Sequence, residues 1–193
     1  MLNDQALDII FRQARTHSVW LDKPVTPEIL KQVYDLAKMA PTSANCSPMR
    51  IVFVQSNEAR EKLKPCLAPG NIDKTMTAPV TALIASDYEF YNHLPNLFPH
   101  TDAKSWFVGN EELINSTAFR NSTLQGAYFI LAARACGLDC GPMSGFDNQL
   151  LDETFFKETS CKSNFICNLG YGDASALFPR SYRFDFEEVC KIV

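Results

Sequence analysis

Val80-Thr81-Ala82-Leu83-Ile84-Ala85-Ser86 is an uncharged run of β-branched, apolar and small residues that follows Pro79. It is too short for a buried helix, so it predicts a strand at the centre of a sheet. Toward the C-terminus, Glu111–Cys136 predicts the longest helix, ended by Gly137 in a left-handed cap. Toward the N-terminus, Thr26 caps a helix with Pro27 in its first turn. Ile29, Leu30, Val33, Leu36, Ala37 and Ala40 form its apolar stripe, and Pro41 ends it. Leu7, Ile10, Phe11 and Ala14 share the face of a helix capped by Asn3 or Asp4. Ile51–Gln55 and Asn164–Gly170 read as strands, Asn57–Leu67 and Asp147–Phe156 as helices, and Gly137–Gly145 as turns. Tyr88–Phe107, crowded with aromatics and prolines, reads as an ordered excursion over a pocket. Helices and strands alternate without a repeat, low-complexity tract or linker, which predicts one mixed α/β or α+β domain over residues 1–193.

The chain is 46% hydrophobic, enough to build a core, and its net charge of −4 argues against a general nucleic-acid binder. Its longest apolar runs, Val80–Ala85 and Tyr128–Ala133, fall far short of the roughly 20 residues that span a bilayer. The acidic N-terminus does not read as a secretory signal. Seven scattered cysteines without a Cys-x-x-Cys pair read as reduced thiols of a cytosolic protein. Cys136 and Cys140 lack a second ligand pair, so no zinc site is expected.

Gly170-Tyr171-Gly172-Asp173-Ala174-Ser175 follows a strand and nearly spells a dinucleotide fingerprint. Ser175 replaces its third glycine and Pro179 breaks the helix that should follow, so the fingerprint fails. No P-loop is present. Cys46 sits in a polar loop where a Cys–His nucleophile is conceivable, but no local motif marks it, and a packed neutral thiol is the plainer reading. His17, His93 and His100 read as satisfying local hydrogen bonds.

Polar patches recur at element boundaries: Arg15-Thr16, the Pro41–Pro48 turn, Asn71-Ile72-Asp73-Lys74, Gly141-Pro142-Met143-Ser144-Gly145, and Arg180 with Arg183. Taken singly, each is an ordinary polar loop. Their order resembles the FMN-dependent nitroreductase family over essentially the whole chain. The resemblance rests on Arg15-Thr16, Asp22–Val25, Ala40–Pro48, Asn71–Lys74 with Ala78–Val80, Gly137–Asp147, and the Gly170-Tyr171-Gly172-Asp173 and Arg183 tail. Thr42–Pro48, Phe98-Pro99-His100 and Asn164 through Asp173 look like its malonic semialdehyde reductase subgroup.

The resemblance implies a central mixed sheet flanked by helices in an intertwined homodimer. It implies FMN as cofactor, NADH or NADPH as co-substrate, and hydride moving by a ping-pong scheme to a small 3-oxo acid. A nitro, quinone or enone acceptor stays open, as do a flavin-binding protein without turnover and a thiol hydrolase built on Cys46. Arg15, Thr16 and Arg183, with Arg180, are implied to hold the FMN phosphate. Asn71 and Lys74 would meet the pyrimidine edge, Lys74 as the cation favouring reduction. Pro142, Met143, Ser144 and Gly145 would lie along the ring, and Pro41, Thr42, Ser43 and Asn45 would reach it from the second subunit. The proton donor is left among Lys74, a serine of the Thr42–Ser47 loop, and solvent. Two departures stand out. Ser18 occupies a place where many members carry a further arginine, and Ser47-Pro48-Met49 stands where many have Gln-Pro-Trp.

Overall fold

The structure is a computed structural model that describes residues 1–193. A short helical turn, α1 (Asp4–Leu7), capped by the Asn3 side chain, runs into π-helical winding over Asp8–Arg12. The regular helix expected around Leu7–Ala14 is therefore wound wider than α. Helix α2 (Pro27–Ala37) starts as expected, with the Thr26 hydroxyl accepting from the Ile29 amide. Strand β1 (Met49–Val54), helix α3 (Asn57–Leu63) and helix α4 (Ile72–Met76) lead to strand β2 (Val80–Asp87). The excursion that follows folds into helical turns, among them α5 (Leu94–Leu97). It builds a small core in which Phe90 and Phe107 meet edge-to-face at 4.9 Å above Cys46. Helix α6 (Glu111–Ala135) ends at Gly137, whose φ of +80° is the left-handed cap conformation. Strand β3 (Asp139–Met143), helix α7 (Asn148–Phe155), strand β4 (Cys161–Gly170) and the turn α8 (Phe186–Val189) complete the chain. No helix is long and apolar enough to cross a membrane.

The strands lie in the order β1-β2-β4-β3 and every neighbouring pair is antiparallel, which corrects the expected mixed sheet. The only parallel pairing in or beside it is an isolated bridge, Thr16–Cys140. Every residue of β2 is buried, as its apolar run requires. Its alternation divides the core in two. Val80, Ala82 and Ile84 join residues of α2 and α6 on one face, while Leu83 and Ala85 join residues of α3 and α7 on the other. The Gly137–Gly145 stretch is not all turn. Gly141 and Pro142 lie inside β3, which as an edge strand tolerates a proline that cannot donate to a ladder.

Gly126, in the middle of α6, faces the ring of Phe165. A Cβ there would lie 2.5 Å from Phe165 Cε1. Replacing glycine inside a helix by alanine ordinarily stabilises it. Here the ring must move, so Gly126→Ala is expected to cost about 1–3 kcal/mol, read by urea unfolding. Adding Phe165→Leu should restore part of that loss.

Candidate functional site

The segment after the π-helical turn runs alongside the edge strand. The His17 amide donates to the Cys140 carbonyl at 3.0 Å, which sets Arg15 and Thr16 at the start of β3. The C-terminal segment crosses the same place. Arg15 Nη2 donates to the Phe178 carbonyl at 2.5 Å, and Arg180 Nη2 to the Arg12 and Ala14 carbonyls at 2.8 and 2.9 Å. Between them lies a cavity of about 390 Å³ lined by Arg15, Thr16, Arg134, Arg180, Ser181 and Arg183, with Phe11 and Phe178 at its sides. No carboxylate lines it. Arg15, Thr16, Arg180 and Arg183, expected to act together, are thus brought together from opposite ends of the chain. Arg134 was not expected. Its signal is visible only in retrospect: Thr123, Ala127, Ile130 and Arg134 recur at helical spacing along one face of α6. Next to this cavity, His17 is buried with Nε2 3.5 Å from Asp139. Asp139 also accepts from the Gly172 amide at 2.9 Å.

At the other end of β3, residues 66–71 are stitched to residues 145–147. The Ala68 amide donates to the Gly145 carbonyl at 3.1 Å, the Asp147 amide to the Cys66 carbonyl at 2.7 Å, and Asn71 Nδ2 to the Gly145 carbonyl at 2.7 Å. A Cβ at Gly145 would sit 2.5 Å from Asn71 Nδ2, so this approach requires glycine. Lys74, on α4, is half-buried and forms no ion pair. Its carbonyl accepts from Trp20 Nε1 at 2.9 Å and Asn168 Nδ2 at 3.0 Å, which fixes its backbone. Asn71 is thus brought onto Gly145, and the Lys74 backbone is tied to Asn168, the β4 residue paired with Gly141 of β3. From Cys140 to Gly145 an extended chain covers roughly 16 Å. β3 thus runs between an arginine-lined end and the end that carries Asn71 on Gly145. Alongside, Thr123, Ala127 and Ile130 of α6 face Pro142, Met143, Ser144 and Phe165 across an open groove of about 350 Å³.

Pro41, Thr42, Ser43 and Asn45 line neither of these spaces. Their loop holds Ala44, Asn45 and Ser47 at φ of +49°, +51° and +40°, left-handed conformations unusual for residues other than glycine. It is pinned at both ends by buried amides of α6. Asn121 Oδ1 accepts from the Ser43 amide at 2.8 Å and Gln125 Oε1 from the Met49 amide at 2.9 Å. Asn45 Nδ2 donates to the Leu97 carbonyl at 2.9 Å and Arg50 Nη1 to the Ser47 carbonyl at 3.0 Å. Asn121 and Gln125 are each two residues from Thr123 and Ala127, roughly 200° round the helix. The loop thus sits behind α6, away from the groove beside β3. Sequence reading missed both amides, although two polar residues four apart on the buried stripe of a helix were the available signal.

Cys46 is buried in this loop, and burial pushes its thiol up to about 11. At about pH 8 only about a thousandth of such a thiol is ionised, which makes it a poor nucleophile. Iodoacetamide at that pH is expected to label exposed Cys190, leave Cys46 unmodified and leave turnover intact. Loss of turnover on Cys46 labelling would revive the thiol mechanism.

The sequence profile of the nitroreductase family matches residues 11–171. A Burkholderia lata protein named "Putative NADH dehydrogenase/NAD(P)H nitroreductase" is 60% identical over 99% of this chain and 98% of its own length. A Polynucleobacter asymbioticus protein of the same name is 58% identical over 100% and 98%. In fold, the chain superimposes on a "putative nitroreductase in complex with FMN" from Exiguobacterium sibiricum with a TM-score of 0.86 at 18% identity, covering 100% and 99% of the two chains. The breadth of the profile match and the near-equal lengths of relatives more than half identical place this chain in the nitroreductase family.

Proposed function

We propose that this protein is an FMN-dependent NAD(P)H oxidoreductase, active as a homodimer, that reduces a small 3-oxo acid such as malonic semialdehyde to 3-hydroxypropionate. The observation that carries the reading is the pairing of a carboxylate-free arginine cavity with the Asn71–Lys74 pole at the far end of β3. A ligand with a dianionic end and a flat, amide-bearing end answers both poles, and FMN is such a ligand. When bound, FMN supplies the two-electron hydride chemistry that side chains cannot.

The residues present fit it. Arg15, Thr16, Arg180 and Arg183 hold the phosphate through charge-assisted hydrogen bonds. Asn71 has its Nδ2 fixed on the Gly145 carbonyl, which leaves its Oδ1 for the imide side of the ring. The backbone of Pro142, Met143, Ser144 and Gly145 lies beside the ring, and Lys74 holds negative charge at its pyrimidine edge. Pro41, Thr42, Ser43 and Asn45 serve the site of a second copy, a reading supported by their position behind α6. Exposed apolar side chains on α2 (Tyr34, Leu36), just after it (Met39) and on α6 (Leu113, Phe119, Leu124, Tyr128) support the same pairing. Lys74 Nζ and the hydroxyls of Ser43 and Ser47, free of hydrogen bonds within the chain, are its own donors, beside solvent, for the proton the product alkoxide takes. Seven free cysteines suit a reducing, cytoplasmic setting.

The 3-oxo acid rests on the resemblance of Thr42–Pro48 and Phe98–His100 to the semialdehyde reductases. One observation favours a second reading, a nitro, quinone or enone acceptor: the groove beside Pro142 and Met143 is floored by Phe165 and Ile130 and offers no cation. An anaerobic titration separates the two. The yellow protein is expected to bleach with NADH or NADPH and to recover colour faster with malonic semialdehyde than with nitro, quinone or enone compounds. Recovery only with the latter would replace the acceptor, and failure to bleach would leave a flavin carrier without turnover.

A further inference from the structure

We infer that Arg134, in the last turn of α6, is a direct ligand of the cofactor phosphate and does the work of the arginine absent at Ser18. The inference rests on the reading of the arginine cavity as the FMN phosphate site and adds a residue to it. Arg134 lines that cavity together with Arg15, Arg180 and Arg183. Its Nη1 donates to the Ile10 carbonyl at 3.2 Å, which anchors the guanidinium, whereas its buried Nε has no partner. A buried N–H of a charged group left without an acceptor is costly, and nearly all such groups in folded proteins are satisfied. The other arginines of the cavity already spend donors on carbonyls: Arg15 on Phe178, Arg180 on Arg12 and Ala14, and Arg183 on Ser181 and Tyr182. Arg134 Nη2 makes no hydrogen bond and is not enclosed, so it is the donor left to reach an anion in the cavity, and the unpartnered Nε behind it leaves the guanidinium charge undersatisfied until an anion arrives.

Charge gives a second reason. The C-terminal turn of a helix carries partial negative charge that by itself repels an anion. A guanidinium in that turn reverses the local sign. Without a carboxylate in the lining, the clustered arginines repel one another until an anion neutralises them, and a phosphate monoester dianion with several acceptor oxygens does so best. Ser18 is exposed and carries no charge, so it cannot supply what an arginine would. α6 delivers the charge from another element.

The test is titration of apo-protein with FMN and, separately, with riboflavin, which lacks the phosphate, followed by flavin fluorescence. Arg134→Gln is expected to weaken FMN about tenfold or more and to change riboflavin less than about twofold. Arg134→Lys should recover part of the loss. Equal weakening of both flavins, or a fall in melting temperature that accounts for the change, would mean Arg134 only braces Ile10 and would overturn the inference. Unchanged FMN affinity would do the same. Arg15→Ala serves as the control. If it weakens FMN and Arg134→Gln does not, only the Arg134 assignment fails. If the wild type prefers FMN no more than riboflavin, the phosphate site itself is misread.

Discussion

Lys74→Met is expected to slow NADH-driven bleaching of the bound flavin about a hundredfold while weakening FMN binding far less. The reason lies in where Lys74 spends its charge. No carboxylate pairs with it, so its field is not neutralised by the protein. Its backbone is fixed independently of the side chain, because Trp20 and Asn168 hold its carbonyl. Methionine keeps the length and removes only the charge, and the half-buried position screens that charge less than bulk water does. The cation contributes most where electrons accumulate, so the loss falls on the reduction step and not on the resting complex. Were the whole hundredfold carried by the reduction equilibrium, it would correspond to about 60 mV for a two-electron couple, so the midpoint potential should fall by up to that amount. Stopped-flow bleaching and a dye-coupled potential measurement read the two quantities. Equal rates in wild type and Lys74→Met would remove Lys74 from its role, and Lys74→Arg should lie between.

Much of this fold was legible because its core is written in local patterns. Thr26-Pro27 announced α2, the uncharged Val80–Ser86 run announced the central strand, and Gly137 ended α6 where a left-handed residue was needed. What failed was decided by tertiary context. Gly141-Pro142 reads as a turn by propensity, yet an edge strand has a free side on which proline's missing donor does no harm. The π-helical winding over Asp8–Arg12 has no local signature. Strand direction does not follow from strand composition, and the antiparallel sheet was missed for that reason. The site divides the same way. Arg15 and Arg180 meet across 165 residues of chain, a closure that no spacing rule foretells and that only the family resemblance suggested. Asn121, Gln125 and Arg134 were missed because a helix read for its apolar stripe hides the polar residues that grip its neighbours.

Removing Asp87 is expected to have the largest effect on stability, because one buried carboxylate organises the end of β2 and the strained loop together. Its Oδ2 accepts from Arg50 Nη2 at 2.5 Å, and its Oδ1 accepts from Ser160 Oγ at 2.6 Å and the Glu89 amide at 2.9 Å. Its own amide donates to the Pro48 carbonyl at 2.9 Å. Arg50 carries the connection onward by donating Nη1 to the Ser47 and Met49 carbonyls, both at 3.0 Å. Ser47 is one of the left-handed residues, so the guanidinium holds a conformation the chain would otherwise relax. Asp87→Ala leaves a cation and two donors without their acceptor, at a cost of about 3 kcal/mol. This is the low end for a broken buried pair, because the Arg50 side chain is 35% exposed. Asp87→Asn keeps an oxygen for Ser160 and Glu89 and should cost less. Urea unfolding measures both, and amide exchange over Thr42–Met49 should accelerate in step with the loss. If the loop only rests on Arg50, a double-mutant cycle of Arg50→Ala with Asp87→Ala will show no coupling. If the ion pair carries the loop, the second substitution will add little to the first, and, should the loop serve a second copy as proposed, FMN affinity will fall with it.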